Sequence, residues 1–223
     1  MAGTMKNILI LLFAFLIVSK AHAQFGINGG TSVLLAFGVP KPYVGLHLGA
    51  EIPRDDQVSI YGRLSLYSKQ KTADKAQTYV EAIDVNNTFP SVQTVMYSTS
   101  MNYTMIEGGN RFYIGEGYDS GFGAYGGGVL LMIFNSVKRD YDEFDETKYR
   151  ISPNEPRKGS IFNLGFGLGG GIKNTFAGVG TFYLDANFSY LILSTASNAT
   201  ASMSPFYKPL LFSFNLGFRK DLY

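Results

Sequence analysis

The chain has no cysteine and no tryptophan among its 223 residues. Without cysteine there is no disulfide framework, no thiolate nucleophile and no thiolate metal site. Histidine is nearly missing as well: the two present are His22 and His47, too few and too far apart to read as a transition-metal site. Charge is thin, with Asp, Glu, Lys and Arg making up 16% of the chain. The formal net charge is +2, and Lys6 and Lys20 supply both positive units from an N-terminal stretch that holds no acid. The remainder therefore sums to about zero, which gives no hint of a nucleic-acid partner. After residue 23 no apolar run approaches the roughly 18 residues that a membrane-crossing helix needs.

What is present begins with a leader. Lys6 supplies a positive charge, Ile8 to Val18 is unbroken apolar sequence, and Ala21-His22-Ala23 is a small-x-small cleavage pattern. Residues 1–23 read as a secretory signal peptide, and residues 24–223 as one exported domain beginning at Gln24.

The exported part is dominated by period-2 alternation. Between Thr181 and Leu193, Phe182, Leu184, Ala186, Phe188, Tyr190 and Ile192 share one face, while Tyr183, Asp185, Asn187 and Ser189 share the other. Strand side chains alternate between faces, so this is one broad apolar wall and one polar wall. A run of about 10 residues of this kind is the pattern of a transmembrane β-strand. Similar alternation runs through 24–38, 43–52, 160–173 and 209–218, from Val58 to Tyr67, and over a long stretch from Val95 to Ile114. The glycine-rich stretch 121–134 has no clear facing. These make eight strands. Connections after the second, fourth and sixth are short (around Pro53–Asp56, Glu116–Ser120 and Asn174–Gly180), and those after the third, fifth and seventh are long and polar (around 69–93, 135–159 and 194–208). The first connection, Val39–Pro42, is short as well. Short turns on one rim and long loops on the other are the habit of a membrane barrel. The fold expected is therefore all-β, an eight-stranded antiparallel transmembrane β-barrel, which leaves no open sheet edge in lipid.

Four segments together resemble a known group: Ala21-His22-Ala23-Gln24, the opening Phe25-Gly26-Ile27-Asn28-Gly29-Gly30, the Gly167–Gly171 strand, and the close Phe214-Asn215-Leu216-Gly217-Phe218-Arg219. The chain resembles the OmpX-like and PorT-like small outer-membrane β-barrels of Gram-negative bacteria. The resemblance implies residence in the outer membrane, with contact to its lipids and lipopolysaccharide. It also implies handling by the barrel assembly machinery, for which the terminal aromatic Tyr223 is the expected signal. Roles within the group run from adhesion to envelope integrity to protein secretion, so a surface or envelope protein partner is implied without being specified.

An eight-stranded lumen is just wide enough for side chains to fill. Facing it are His47, Glu51, Arg63, Glu107, Arg111, Lys173, Asp185 and Arg219. Both signs are present, so the expectation is a packed, paired polar plug, with a narrow ion or proton path as the alternative. His47, mid-strand beside Glu51, reads as a satisfied lumen histidine, so no catalytic residue, cofactor or metal is assigned. Asp140, Asp142, Glu143, Asp145 and Glu146 crowd one long connection, flanked by six cations. They read as a solvated loop, with loose cation binding as the alternative, since the spacing is not that of an EF-hand. With no Trp, the interfacial aromatic girdles are expected from Tyr43, Tyr67, Tyr97, Tyr113, Tyr118, Tyr190 and Tyr207. The function expected is non-enzymatic: a barrel whose surface loops serve envelope integrity, adhesion or partner binding. A narrow pore or transporter, and a soluble periplasmic barrel holding an apolar ligand, are the alternatives.

Overall fold

The computed structural model describes residues 25–153, 155–198, 205–206 and 208–222. Residues 1–23, expected to be a signal peptide, lie outside the described residues, as do Gln24, Tyr207 and Tyr223. Among the described residues twelve strands follow one another: β1 (Phe25–Ala36), β2 (Tyr43–Pro53), β3 (Val58–Tyr67), β4 (Gln70–Lys71), β5 (Ala76–Ala82), β6 (Val92–Met101), β7 (Thr104–Gly115), β8 (Gly121–Tyr141), β9 (Tyr149–Ile151), β10 (Lys158–Phe176), β11 (Gly180–Ala196) and β12 (Leu210–Leu222). Eight of them form a ring in the order β1-β2-β3-β7-β8-β10-β11-β12, every neighbouring pair antiparallel. The ring closes where β1 pairs with β12, from Phe25 opposite Leu222 to Ala36 opposite Leu211. A closed ring has no edge, so every barrel strand finds its backbone partners inside the fold.

The barrel is apolar on the outside. Phe182, Leu184, Phe188, Tyr190 and Ile192 of β11 are exposed, whereas Tyr183, Asp185, Asn187 and Ser189 are buried. The same split runs along β1, β2 and β3, where Ile27, Leu48 and Leu64 are exposed and Asn28, His47 and Arg63 are buried. Apolar-out and polar-in is the arrangement that lipid selects. Along β8 the outward positions run Phe122, Ala124, Gly126, Gly128, Leu130, Met132 and Phe134, then turn polar at Ser136, Lys138 and Asp140. The 21 residues of β8 span roughly 50 Å of height at an ordinary rise and tilt, about twice the apolar band of a membrane barrel. Its last residues therefore stand clear of the lipid.

That overhang corrects the expected loops. The stretch 69–93 holds β4 and β5, and much of 135–159 is the ends of β8 and β10 with β9 between them. Above the rim these segments form an antiparallel sheet ordered β9-β5-β6-β8. It buries Val80, Ala82, Val95 and Tyr149 on one face, with Tyr141, Phe144 and Ile151 packed against them. A small water-exposed sheet carries too few apolar positions for hydrophobic periodicity to mark it.

The single strand expected over Val95–Ile114 is also divided, into β6 and β7, at Asn102 and Tyr103. Asn102 Oδ1 accepts from the Ser136 amide at 3.0 Å and its carbonyl accepts from Asn135 Nδ2 at 2.9 Å. These side-chain bonds replace ladder bonds where the chain exchanges β3 for β5 as its partner. The last strand runs past Phe218: Lys220 and Asp221 pair with Ile27 and Gly26. Their polarity is tolerated because this is the rim, where Lys220 Nζ donates to the carbonyls of Gly178 and Val179 at 2.9 Å.

The tyrosine girdle is corrected too. Tyr43, Tyr67, Tyr113 and Tyr118 are buried inside, and among the described members of the expected set only Tyr190 is exposed on the outer face. The other outward aromatics of the barrel are phenylalanines, among them Phe112, Phe122, Phe134, Phe176, Phe182 and Phe188. Inside, Tyr113 donates to Glu51 and Tyr118 to Asp221, whereas a phenyl ring facing lipid needs no partner.

Candidate functional site: a filled lumen and a raised sheet

All eight lumen residues named from the sequence are buried. They come from six different strands, each on the inward phase of its alternation. Asp185 of β11 is the hub. Its Oδ2 lies 2.8 Å from Arg111 Nη2 and 3.2 Å from Arg63 Nη1, and its Oδ1 accepts from Asn215 Nδ2 at 2.6 Å. Arg63 turns its Nε to Glu107 at 2.6 Å, and Arg111 turns Nη1 to Glu51 at 2.6 Å. Arg219 reaches Glu51 at 3.5 Å and Asp221 at 3.0 Å. Acids and bases thus alternate along one chain, Glu107-Arg63-Asp185-Arg111-Glu51-Arg219-Asp221. Buried charges are tolerated when paired and hydrogen-bonded in this way.

Tyrosines enclose the chain. The Arg111 guanidinium lies 4.4 Å from the Tyr61 ring centre and 4.7 Å from that of Tyr125. Arg219 lies 3.5 Å from the Tyr118 ring centre. Inward glycines make room for these rings: a Cβ on Gly171 would stand 2.7 Å from Tyr125, and one on Gly217 would stand 2.4 Å from Tyr183 Oη. Tyr113 donates to Glu51 Oε1, which also accepts from Ser59 at 2.5 Å.

Two expected members stand apart from the ion-pair chain. His47 does not touch Glu51; it bonds Ser32 Oγ at 2.8 Å through Nδ1 and Tyr183 Oη at 2.6 Å through Nε2. Lys173 donates to the carbonyls of Ser120 and Gly121 at the turn-bearing rim. The tyrosines and Asn215 that complete the network follow from the same inward alternation, but a polar-only search passes over an aromatic residue.

Above this layer the lumen changes character. Leu34, Tyr43, Met105, Val129, Leu131, Ile133, Leu191 and Leu211 form an apolar core inside the barrel. Tyr103 closes it from above, its ring 4.8 Å from that of Tyr43 and its hydroxyl donating to the Phe206 carbonyl at 3.1 Å. β8 is therefore apolar on both faces, with Val129, Leu131 and Ile133 inward and Leu130, Met132 and Phe134 outward. That explains why its facing could not be read from periodicity. Beside Arg111 and Asp185 a void of about 10 Å³ is at the limit for a single water.

The acidic connection resolves into separate pairs. Asp142 meets Lys75 at 2.6 Å, Asp145 meets Lys148 at 3.3 Å, Asp140 meets Lys138 and Glu146 meets Arg157. No group of three or more His, Cys, Asp or Glu among the described residues is placed to hold a metal ion. Sequence reasoning missed Arg139, which it counts among the loop cations. It is buried in the raised sheet, 4.7 Å from the Tyr97 ring centre and 3.4 Å from Glu155. The sheet ends in a tip that exposes Tyr79, Ile83, Val85, Phe89 and Val92, with Phe89 97% exposed.

Among solved structures the chain is similar to a major outer-membrane protein of Thermus thermophilus, with a TM-score of 0.51 at 10% identity, over 90% of this chain and 100% of that one. The fold is that of the small outer-membrane barrels. Ail of Yersinia pestis (TM-score 0.45, 14% identity, 89% of this chain and 99% of that one) and the neisserial surface protein NspA (0.44, 10%, 88% and 94%) lie further off. No family model matches the chain, and no curated protein matches it.

Proposed function

We propose that this chain is a non-enzymatic outer-membrane protein. Its barrel is an anchor, and its raised sheet meets a surface or envelope protein partner. The observation that carries this is the tip. Tyr79, Ile83, Val85, Phe89 and Val92 expose apolar surface beyond the lipid belt, on a sheet with its own buried core. Contiguous apolar surface held out into water is the usual mark of a binding site. The lumen supports the anchor role, because the ion-pair chain and the apolar core above it occupy the path a solute would take. A narrow pore is the second reading, and that filling argues against it.

The test is a chain carrying Val85→Asp and Phe89→Asp. It should keep the gel shift between unboiled and boiled samples that marks a closed barrel, while losing the adhesion or envelope-resistance phenotype of the parent. Retention of that phenotype by a correctly folded, surface-displayed variant would sink the tip as the partner site. Conductance of the parent in planar bilayers would move the assignment to the pore.

A further inference from the structure

The lipid-facing wall is not uniform. Across β3, β7, β8, β10 and β11 it sinks into an apolar groove of about 1010 Å³, bordered by Ile60, Ile106, Leu130, Met132, Phe166 and Ile192. Gly108 and Gly128 lie in it, and Gly62 adjoins them opposite Gly108. At most inward positions of the barrel glycine is enforced by neighbours. A Cβ on Gly109, facing inward, would stand 2.2 Å from the Gly128 carbonyl. At Gly62, Gly108 and Gly128 the nearest atoms would be 3.9, 3.9 and 3.8 Å away, ordinary contact distances. The chain's own packing does not require glycine at these three outward positions, where glycine weakens a strand and leaves it without a side chain to pack.

A second observation lies in the same groove. Asn110 takes the outward phase of β7, between Gly108 and Phe112. It is opposite Ile60 of β3, five residues from the turn-side end of β7 at Gly115 and six from the other end at Thr104. At ordinary rise and tilt it is about 12 Å inside the membrane. Its Oδ1 accepts from the Gly128 amide at 3.1 Å, and its Nδ2 has no partner among the described residues. Gly128 is itself midway between Phe122 and Phe134, the ends of the outward apolar run of β8. An amide donor left bare in hydrocarbon is unfavourable.

We propose that a second copy of this chain covers the groove, in a two-fold pair whose axis passes beside Asn110. The occupant must bring a hydrogen-bond acceptor to mid-membrane depth, where lipid headgroup and ester oxygens do not reach. A second Asn110 does so reciprocally. Each amide has a free donor and a spare lone pair on Oδ1, so a two-fold axis satisfies both at once, as an isologous interface requires. The shape is self-complementary as well. Leu130 and Leu168, at 71% and 73% exposure, project beside the hollow and can enter the partner's glycine floor. In membrane helix pairs small residues let the backbones approach and polar side chains bond across the seam, and the groove offers both devices on a sheet.

The proposal rests on the chain being a membrane barrel, and the experiment separates the two. The chain carries no native cysteine, so an Asn86→Cys version takes donor and acceptor dyes at one exposed turn. It is refolded into phosphatidylcholine vesicles over a range of protein-to-lipid ratios, and the gel heat shift is read on every sample. Energy transfer should rise with protein density in the parent. Gly128→Leu and Asn110→Leu should each weaken association on the order of tenfold. Leu216→Phe, on the opposite wall, should leave it unchanged. A heat-shifting parent that stays monomeric at every ratio, the groove then being covered by lipid alone, overturns the pairing. So does association that survives Gly128→Leu. A parent that neither inserts nor shifts removes the membrane placement and the pairing with it.

Discussion

Neutralising Asp185 puts the lumen network under its most informative strain. Asp185→Asn keeps the shape of the side chain and removes one negative charge from a site where two guanidinium groups, Arg63 and Arg111, converge within 3.2 Å. Arg63 then keeps Glu107 and Arg111 keeps Glu51, but each of these buried guanidinium groups loses the carboxylate it shared with the other. Removing one partner from a buried ion pair destabilises by about 3–5 kcal/mol, because the stranded charge keeps its desolvation penalty. The amide can still accept one bond, so a loss of about 3 kcal/mol is expected, at the low end of that range. The measurement is a urea titration in vesicles, followed by far-UV circular dichroism and by the unboiled gel band. Tyrosine emission is the available fluorescence, since the chain has no Trp. Adding Arg63→Met to Asp185→Asn should deepen the loss, since the buried Glu107 then loses the guanidinium it pairs with. A change below about 1 kcal/mol for Asp185→Asn would refute the claim that the pairs are dry and mutually dependent.

Two predictions concern the raised sheet. Arg139→Ala removes a guanidinium held against Tyr97 and Glu155, and should loosen the sheet by about 1–2 kcal/mol while leaving the barrel intact. Limited proteolysis between Tyr141 and Lys158 should then speed up with no change in the heat shift, and equal cleavage rates would contradict it. Asp84 holds the tip turn by accepting from Asn87 Nδ2 at 2.6 Å and from the Asn86 amide at 3.0 Å. These bonds, the Asn87 side chain first, hold its carboxyl below its ordinary value of 3.8. A folded value below the unfolded one means that the stabilisation is present at neutral pH and is lost as pH falls through the folded value. Amide protection around 84–87 should fade only below the usual carboxylate range, and Asp84→Asn should remove that dependence.

The barrel was legible because lipid and lumen impose opposite chemistry on successive residues. Phe182 to Ile192 gave the facing, and Glu107, Arg111 and Asp185 fell inward by counting in twos. Legibility failed where that contrast vanished. β8 is apolar on both faces through Val129–Phe134, so its period cancels. The raised sheet meets water and buries only a handful of side chains, so 69–93 and 135–159 looked like loops. Tyrosine misled because it suits both a membrane interface and a crowded polar lumen. Asn110 was overlooked because a single polar residue in an outward row looks like a lapse in alternation until its unpaired amide is placed at mid-depth.

The lumen is closed in layers, and this predicts how hard it is to open. At the turn-bearing rim Arg219 is held against Tyr118, whose carbonyl accepts from it at 2.8 Å. In the middle the alternating acids and arginines fill the section around Tyr61 and Tyr125. Above them Leu34, Met105, Leu131, Ile133 and Leu211 form a dry core. Barriers in series do not add: the highest one still blocks when another is removed. Arg111→Ala combined with Asp185→Ala should therefore leave the barrel non-conducting in planar bilayers, because the apolar layer dewets what remains. Truncating Met105, Leu131 and Ile133 to Ala alone should fail for the complementary reason, with the ion-pair layer intact. Steady current is expected only when both layers are truncated together. Current through either partial set would show that one layer had carried the whole seal, and that the lumen had been built as a gate with a single bar.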